Sequence, residues 1–129
     1  MAPSFLTLEE VLALHADQVR RYGGAQGVRD LGGLESALGV PQASYEGQWL
    51  HASVPEMAAA YHFHIVMNHP FVDGNRRAGL AAAIAFLGVN DLRLDAPEDD
   101  VVDLVLGIAS GRVTKSAVAV FLAEHTEPW

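Results

Sequence analysis

The chain centres on AAAYHFHIVMNHPFVDGNRRAGLAAAIAFL (residues 58–87), in which a polar nonapeptide lies between two apolar segments. The apolar segments, residues 58–67 and 78–87, have the composition of buried helices, and HPFVDGNRR (residues 69–77) is predicted to be the loop that joins them. A helix leaves its first four N–H groups unpaired and carries a positive partial charge at that end. We therefore expect an anion to bind where the second of these helices begins.

Capping signals and helical spacing predict about six helices in the chain. They are residues 8–22 after Thr7, 31–39 after Asp30, 54–68 after Ser53, 77–87 ending at Gly88, a segment from Pro97 to about Gly111 capped by Asp95, and a segment from Thr114 to about His125. The sequence therefore predicts an all-α fold, a compact single-domain helical bundle over residues 1–129. The nonapeptide would join its two central helices.

Two segments do not fit a helix. Residues 40–52 contain Pro41, Gly47 and Trp49, and they are predicted to be irregular and able to fold over a neighbouring site as a flap. Trp49 is most simply a packing group, although an aromatic side chain in this segment could also cover a nucleotide. Residues 90–94 are predicted to be a short extended link.

Charge and composition exclude several classes of protein. Eight basic and sixteen acidic residues give a formal net charge of −8, which opposes binding to the nucleic-acid backbone. Two of the eight cations are adjacent at Arg76 and Arg77, so the nonapeptide is a locally positive site. The chain has no cysteine, which excludes a disulfide framework, and it shows no signal peptide or run of ~18 apolar residues. We expect a cytoplasmic protein that binds neither nucleic acid directly nor membranes.

Five residues of the nonapeptide, His69, Phe71, Asp73, Asn75 and Arg77, follow the pattern His-x-Phe-x-Asp-x-Asn-x-Arg. This pattern resembles the signature of the Fic and Doc families, and the chain is most similar to Doc, the toxin of Doc and Phd toxin–antitoxin pairs. The similarity extends to other segments, namely residues 12–15, 21–24, 27–30, 35–38 and 107–111. It implies a Fic-like fold and a phosphotransferase that uses ATP and magnesium.

The resemblance also implies a role for each motif residue. His69 is the expected general base, because an imidazole can accept a proton near neutral pH. Asp73 is expected to hold Mg²⁺, and Arg77 to stabilise the transition state as the third catalytic group. Phe71 is expected to point inward and anchor the loop. The expected nucleotide- and phosphate-binding residues are Gly74, Asn75, Arg76 and Arg77.

Arg76 and Leu80 bear on which group is transferred. By resemblance, Fic proteins that transfer a nucleotide usually have glycine and arginine at these positions, whereas Doc has a long basic residue and lacks the second arginine. The sequence therefore favours transfer of the terminal phosphate of ATP to a hydroxyl of a translation factor, elongation factor Tu by resemblance, with arrest of translation. Two alternatives are an AMP transferase and a non-catalytic partner that binds an antitoxin.

Three further interpretations concern regulation and isolated polar residues. No serine or threonine lies four residues before a glutamate, so the self-inhibitory helix of many Fic proteins is not recognised and a separate Phd-like antitoxin is expected. Arg29 and Asp30 either form a local ion pair or belong to a surface for substrate or antitoxin. His62, His64 and His69 do not converge, so zinc is not expected, and the first two are interpreted as polar groups with local partners.

Overall fold

The computed structural model describes residues 2–129, which form six α-helices and two short antiparallel strand pairs. The helices are α1 (Leu8–Tyr22), α2 (Leu31–Gly39), α3 (Val54–Asn68), α4 (Asn75–Val89), α5 (Glu98–Ala109) and α6 (Lys115–Glu124). The strands are β1 (Ser44–Tyr45), β2 (Gln48–Trp49), β3 (Leu92–Leu94) and β4 (Thr126–Pro128). The predicted all-α class is confirmed.

Helices α3 and α4 form the centre of the core. Helix α3 contacts α2, α4, α5 and α6, and α1 packs on α4. A Cβ added at Gly79 of α4 would lie 2.9 Å from Val66 Cγ2 and 3.0 Å from the carbonyl oxygen of His62, both on α3. Small residues therefore allow the two central helices to approach closely, and the loop between them is held at the end of a rigid pair.

Most of the predicted N-caps are confirmed. The first capping box is complete, because Glu10 N–H donates to Thr7 Oγ1 at 3.1 Å and Thr7 N–H donates to Glu10 Oε1 at 2.8 Å. The second is incomplete: Ser53 Oγ accepts from Glu56 N–H, but the Glu56 carboxylate accepts from Ala52 N–H, one residue too early for a capping box. Asp30 is confirmed as an N-cap that accepts from the third helical residue. Thr114, predicted as the first residue of the last helix, is instead the N-cap of α6.

The predicted ends of α4 are wrong by two residues on both sides. The helix begins at Asn75 rather than at residue 77, because Gly74 adopts a left-handed conformation with φ of 76° and serves as the N-cap. At the other end the helix continues through Gly88 to Val89. A helical glycine costs about 1 kcal/mol relative to alanine, which packing of the helix in the core can override.

The predicted capping residue of α5 is also wrong. The helix begins at Glu98 with Pro97 as its N-cap, no side chain caps it, and it ends at Ala109 rather than near Gly111. Asp95 N–H instead donates to the carbonyl oxygen of residue 125 at 2.7 Å. Asp95 therefore continues a strand pairing and does not cap the helix.

Two strand pairs were not predicted. The link at residues 90–94 contains β3, which pairs with the C-terminal strand β4. Residues 40–52 are not irregular, since β1 and β2 pair there as a hairpin. Trp49 meets the ring of Phe5 edge-on at 5.3 Å, and no residue of 40–52 lines the cavity described below, so the hairpin packs on the N-terminal segment and does not form a flap over that cavity.

Within residues 2–129 no helix is both long and apolar enough to cross a membrane.

Candidate active site

The motif loop runs between two residues with left-handed backbone. His69 ends α3 with φ of 50° and ψ of 51°, and Gly74 precedes α4. Asn75 braces the loop from inside, because its Oδ1 accepts from Phe71 N–H at 2.9 Å and its Nδ2 donates to the Phe71 carbonyl at 3.0 Å. The Asn75 side chain is thus buried in support of the loop, and only its backbone N–H is available to a phosphate.

Phe71 is fully buried behind the loop, where it stacks on the ring of His15 with centroids 3.7 Å apart. His15 Nε2 in turn donates to the carbonyl oxygen of Asp73 at 2.7 Å. No role for His15 is predicted from the sequence. A signal was present, because His15 lies on the same face of α1 as the buried Val11 and Val19 at steps of four residues.

The Asp73 carboxylate is held in place by backbone N–H groups. Its Oδ2 accepts from Ala25 N–H at 3.2 Å and its Oδ1 from Gly74 N–H at 2.8 Å. The hydrogen bond from Ala25, then that from Gly74, lower the pKa of this carboxyl below its usual value. Desolvation opposes this shift, and the charges of Arg77 and then His15 add lesser effects in the lowering direction. Asp73 is therefore an exposed, ionised carboxylate at neutral pH.

The two arginines of the motif have different environments. Arg77 Nη2 donates to the carbonyl oxygen of Gly23 at 2.7 Å and Nη1 to that of Gln18 at 3.3 Å, so its guanidinium is fixed at the C-terminal end of α1. Arg76 is exposed, and its side chain makes no hydrogen bond or ion pair to other residues in the described range 2–129. Arg77 is thus oriented by the protein, whereas Arg76 is free to meet a ligand.

The turn at residues 21–24 supports these groups from the other side. Gly24 has φ of 113°, and a Cβ there would lie 2.8 Å from Asp73 Oδ2 and 3.2 Å from Arg77 Nη2. A glycine is therefore required where this turn passes the carboxylate. In the sequence this turn is recognised only through the resemblance, whereas in the structure it lies against Asp73 and Arg77.

Backbone N–H groups at the start of α4 complete the polar side. The first hydrogen bond of the helix is donated by Ala78 N–H to the Gly74 carbonyl at 2.9 Å. The N–H groups of Asn75, Arg76 and Arg77 precede it and have no carbonyl partner within the helix. Together with the two guanidinium groups they form a site suited to an anion with several oxygens.

These groups face one cavity of about 870 Å³. The polar and charged part of its lining comes from the motif residues His69, Asp73, Gly74, Asn75, Arg76 and Arg77. Its opposite side is aliphatic and is formed mainly by Val101, Val102, Val105, Leu106 and Ala109 of α5. The structure thus brings all the predicted site residues together around the cavity except Phe71, which lies behind the loop.

The remaining histidines lie away from this cavity. His62 is fully buried, both of its ring nitrogens lack a hydrogen-bond partner among residues 2–129, and burial lowers its pKa to about 4. The expected local partner of His62 is therefore absent, whereas His64 Nε2 lies 3.1 Å from Lys115 Nζ as expected of a partnered group. Within residues 2–129 no group of three histidine, aspartate or glutamate side chains could hold a metal ion.

Comparison with known proteins identifies relatives that are similar in sequence over most of the chain. The family model described as Fic/DOC family matches residues 5–87, from the segment before α1 into α4. The chain is 36% identical to protein kinase doc of Escherichia phage P1 over 112 residues, 86% of either chain. It is also 36% identical to toxin Doc of Mycolicibacterium smegmatis over 104 residues, which cover 79% of this chain and 80% of that toxin. The chain belongs to the Fic/DOC family.

Proposed function

We propose that this chain is a Doc-like toxin that transfers the terminal phosphate of ATP to a hydroxyl group of a target protein. The observation that carries the proposal is the convergence of His69, Asp73, Arg76 and Arg77 with the unpaired N–H groups of α4 on one cavity. The name of the phage P1 relative, a protein kinase, supports the reaction type, and that of the mycobacterial relative supports the role as a toxin.

Each residue has a chemical task in this reaction. The target hydroxyl oxygen attacks the terminal phosphorus, the bond to the bridging oxygen breaks, and ADP leaves. His69 accepts the hydroxyl proton, because it is an exposed imidazole that lines the cavity and is accessible to a target protein. Arg77 and the N–H groups of α4 stabilise the charge on the transferring group, and Arg76 binds the remaining phosphates.

The donor set at the loop fits magnesium. Asp73 offers one ionised carboxylate, and Mg²⁺ is commonly bound through one or two carboxylates together with phosphate oxygens and water. When bound, the ion would neutralise charge on the phosphates of ATP. The protein's own part is to keep this carboxylate charged and fixed, which the N–H groups of Ala25 and Gly74 do.

Two residues favour phosphate transfer over AMP transfer. Leu80 lines the cavity one turn into α4, at the position where nucleotide-transferring Fic proteins carry their second arginine. The site thus lacks that cation for binding a nucleotide in the Fic manner. Arg76 replaces the usual glycine and places a bulky cation at the mouth of the cavity.

The proposal includes two macromolecular partners. The target is a translation factor, elongation factor Tu by the resemblance, whose modification would arrest translation. The restraint is a cognate Phd-like antitoxin, since no glutamate of the chain has a serine or threonine four residues before it. The chain would act in the cytoplasm, where ATP and translation factors are found.

The test is transfer of label from ATP to protein. The purified chain is incubated with elongation factor Tu, magnesium and ATP labelled at either the γ or the α phosphate, and the protein is then weighed by mass spectrometry. We expect γ label and an added mass of about 80 Da, whereas AMP transfer would add about 329 Da with α label. His69→Ala is expected to lower the rate by about 10²-fold or more.

His125→Ala is the matched control, because His125 lies at the end of α6 and does not line the cavity. It should transfer phosphate at the parent rate. Incorporation of the α label would mean that the chain transfers AMP and not the terminal phosphate, and would overturn the proposed kinase activity. A His69→Ala variant as toxic as the parent would support the non-catalytic alternative and remove both enzymatic ones.

A further inference from the structure

The backbone of the motif loop is held from behind by residues 27–30, the segment between α1 and α2. Arg29 Nε donates to the His69 carbonyl oxygen at 2.9 Å, and Arg29 Nη2 donates to the same oxygen at 2.5 Å. A longer contact of 3.4 Å joins Nη2 to the carbonyl oxygen of Asn68. The N–H groups of Arg29 and Asp30 both donate to the Pro70 carbonyl oxygen, at 2.7 and 2.9 Å. The carbonyl oxygens of residues 68, 69 and 70 thus all accept hydrogen bonds from Arg29 or Asp30.

These contacts answer a local need of α3. The last carbonyls of a helix have no partner within it and carry a negative partial charge, which a cation stabilises. The last turn of α3 contains no basic residue, and the Arg29 guanidinium supplies that charge from a distant part of the sequence. The ion pair considered for Arg29 and Asp30 is not formed, because Asp30 caps α2 instead.

The same contacts fix an uncommon backbone conformation. His69 has φ of 50° and ψ of 51°, a left-handed region that residues with a Cβ seldom occupy. The two dihedral angles set the direction of the Cα–Cβ bond and therefore where the imidazole points. A guanidinium bound twice to the carbonyl of that residue restrains these angles.

We propose that Arg29 is a positioning residue for His69, holding the backbone that aims the general base into the cavity. The inference rests on the proposed function for its kinetic consequence. Arg29 does not line the cavity, and its guanidinium donates to the His69 backbone carbonyl, so it acts through that carbonyl and has no direct part in the transfer. Because Arg29 is exposed, replacing it leaves no buried void.

The test compares Arg29→Met, Arg29→Lys and two controls in steady-state phosphate transfer. We expect Arg29→Met to lower kcat about 10- to 100-fold, the size of effect that follows a small misplacement of a reacting group, with KM for ATP changed by less than about twofold. Arg29→Lys, which can still donate to the His69 carbonyl, should recover most of the lost kcat. Arg20→Met, which removes an exposed arginine of α1 paired with Asp17, should behave as the parent.

Asn68→Ala separates positioning from general support of the same junction. Asn68 Nδ2 donates to the Gly33 carbonyl at 2.9 Å, so this variant loosens α3 from α2 and leaves the His69 carbonyl bound. It should lower the melting temperature and leave kcat within about twofold of the parent. An equal loss of kcat in Asn68→Ala and Arg29→Met would overturn the inference, as would a loss in Arg29→Met that appears in KM alone.

A second measurement does not depend on activity. The ¹³Cα and ¹³Cβ chemical shifts of His69 report its backbone conformation, and they should move away from left-handed values in Arg29→Met but not in Arg20→Met. If the parent transfers no phosphate, the proposed function fails, and these shifts still decide the role of Arg29. Unchanged shifts in Arg29→Met would overturn that role whatever the activity.

Discussion

The buried His62 makes the stability of this protein depend on pH. Its ring lies at the interface of α3 and α4, neither ring nitrogen has a hydrogen-bond partner in the described part of the chain, and burial lowers its pKa from 6.5 to about 4. Between these two values the unfolded chain holds a proton on this side chain and the folded chain does not. The free energy of unfolding should therefore be highest above pH 6.5 and should fall as the pH decreases toward 4.

The size of the effect follows from the two pKa values. Each pKa unit corresponds to about 1.4 kcal/mol, so full protonation of the unfolded state lowers the free energy of unfolding by about 3 kcal/mol. About 2 kcal/mol of this should be lost by about pH 5. Since small domains are stable by about 5–15 kcal/mol, the change is a large part of the total.

The measurement is urea unfolding at a series of pH values from 7.5 to 4, on the parent and on His62→Leu. Between pH 7.5 and 4, the free energy of unfolding should fall by about 3 kcal/mol more in the parent than in His62→Leu. His64→Gln is the control. Burial first and the Lys115 charge second also lower the pKa of His64, but this side chain is only partly buried, so the pH dependence of stability should change less than in His62→Leu. An NMR titration of the parent checks the premise, and a midpoint near 6.5 for the His62 ring would refute it.

Three further predictions concern the packing of single residues. Gly24→Ala should lower phosphate transfer about 10-fold or more, because the new Cβ would displace the Asp73 carboxylate, and activity assays at saturating ATP check this. Gly79→Ala should lower the free energy of unfolding by about 1–3 kcal/mol in urea titrations, because its Cβ would press on Val66 across the α3–α4 contact. Trp49→Ala should cost about 1–2 kcal/mol of stability and leave phosphate transfer unchanged, because this ring packs on the N-terminal segment away from the cavity.

Each of these variants has a matched control. Gly23 also has positive φ, yet a Cβ there would meet no atom within 4 Å, so Gly23→Ala should cost less activity than the change at Gly24. The control for Gly79→Ala is Gly39→Ala, because Gly39 is helical and a Cβ there would have no neighbour within 4 Å. The control for Trp49→Ala is Tyr45→Ala, because Tyr45 is an exposed aromatic residue of the same hairpin. Equal effects in a variant and its control would contradict the packing reason given. Loss of phosphate transfer in Trp49→Ala would restore the flap interpretation of residues 40–52.

Helices and their starts could be predicted because their signals are local. The capping box of Thr7 and the N-caps at Asp30, Ser53 and Thr114 involve groups within four residues of each other, so they are visible in the sequence. The start of α4 was misplaced because it depends on the left-handed conformation of Gly74. Strand β4 was missed because its partner β3 lies about thirty residues earlier, and a three-residue strand has no periodicity of its own.

The sequence by itself determined the chemistry available to this protein: an imidazole, a carboxylate, two arginines and a helix start within nine residues. Only the tertiary structure decided how these groups are held. His15 beneath Asp73, Gly23 on Arg77 and Arg29 on the His69 carbonyl come from segments 40 to 58 residues away. The motif can be recognised from consecutive residues alone. The contacts that orient it form only when distant segments of the chain pack together, and no local sequence pattern predicts which segments will meet.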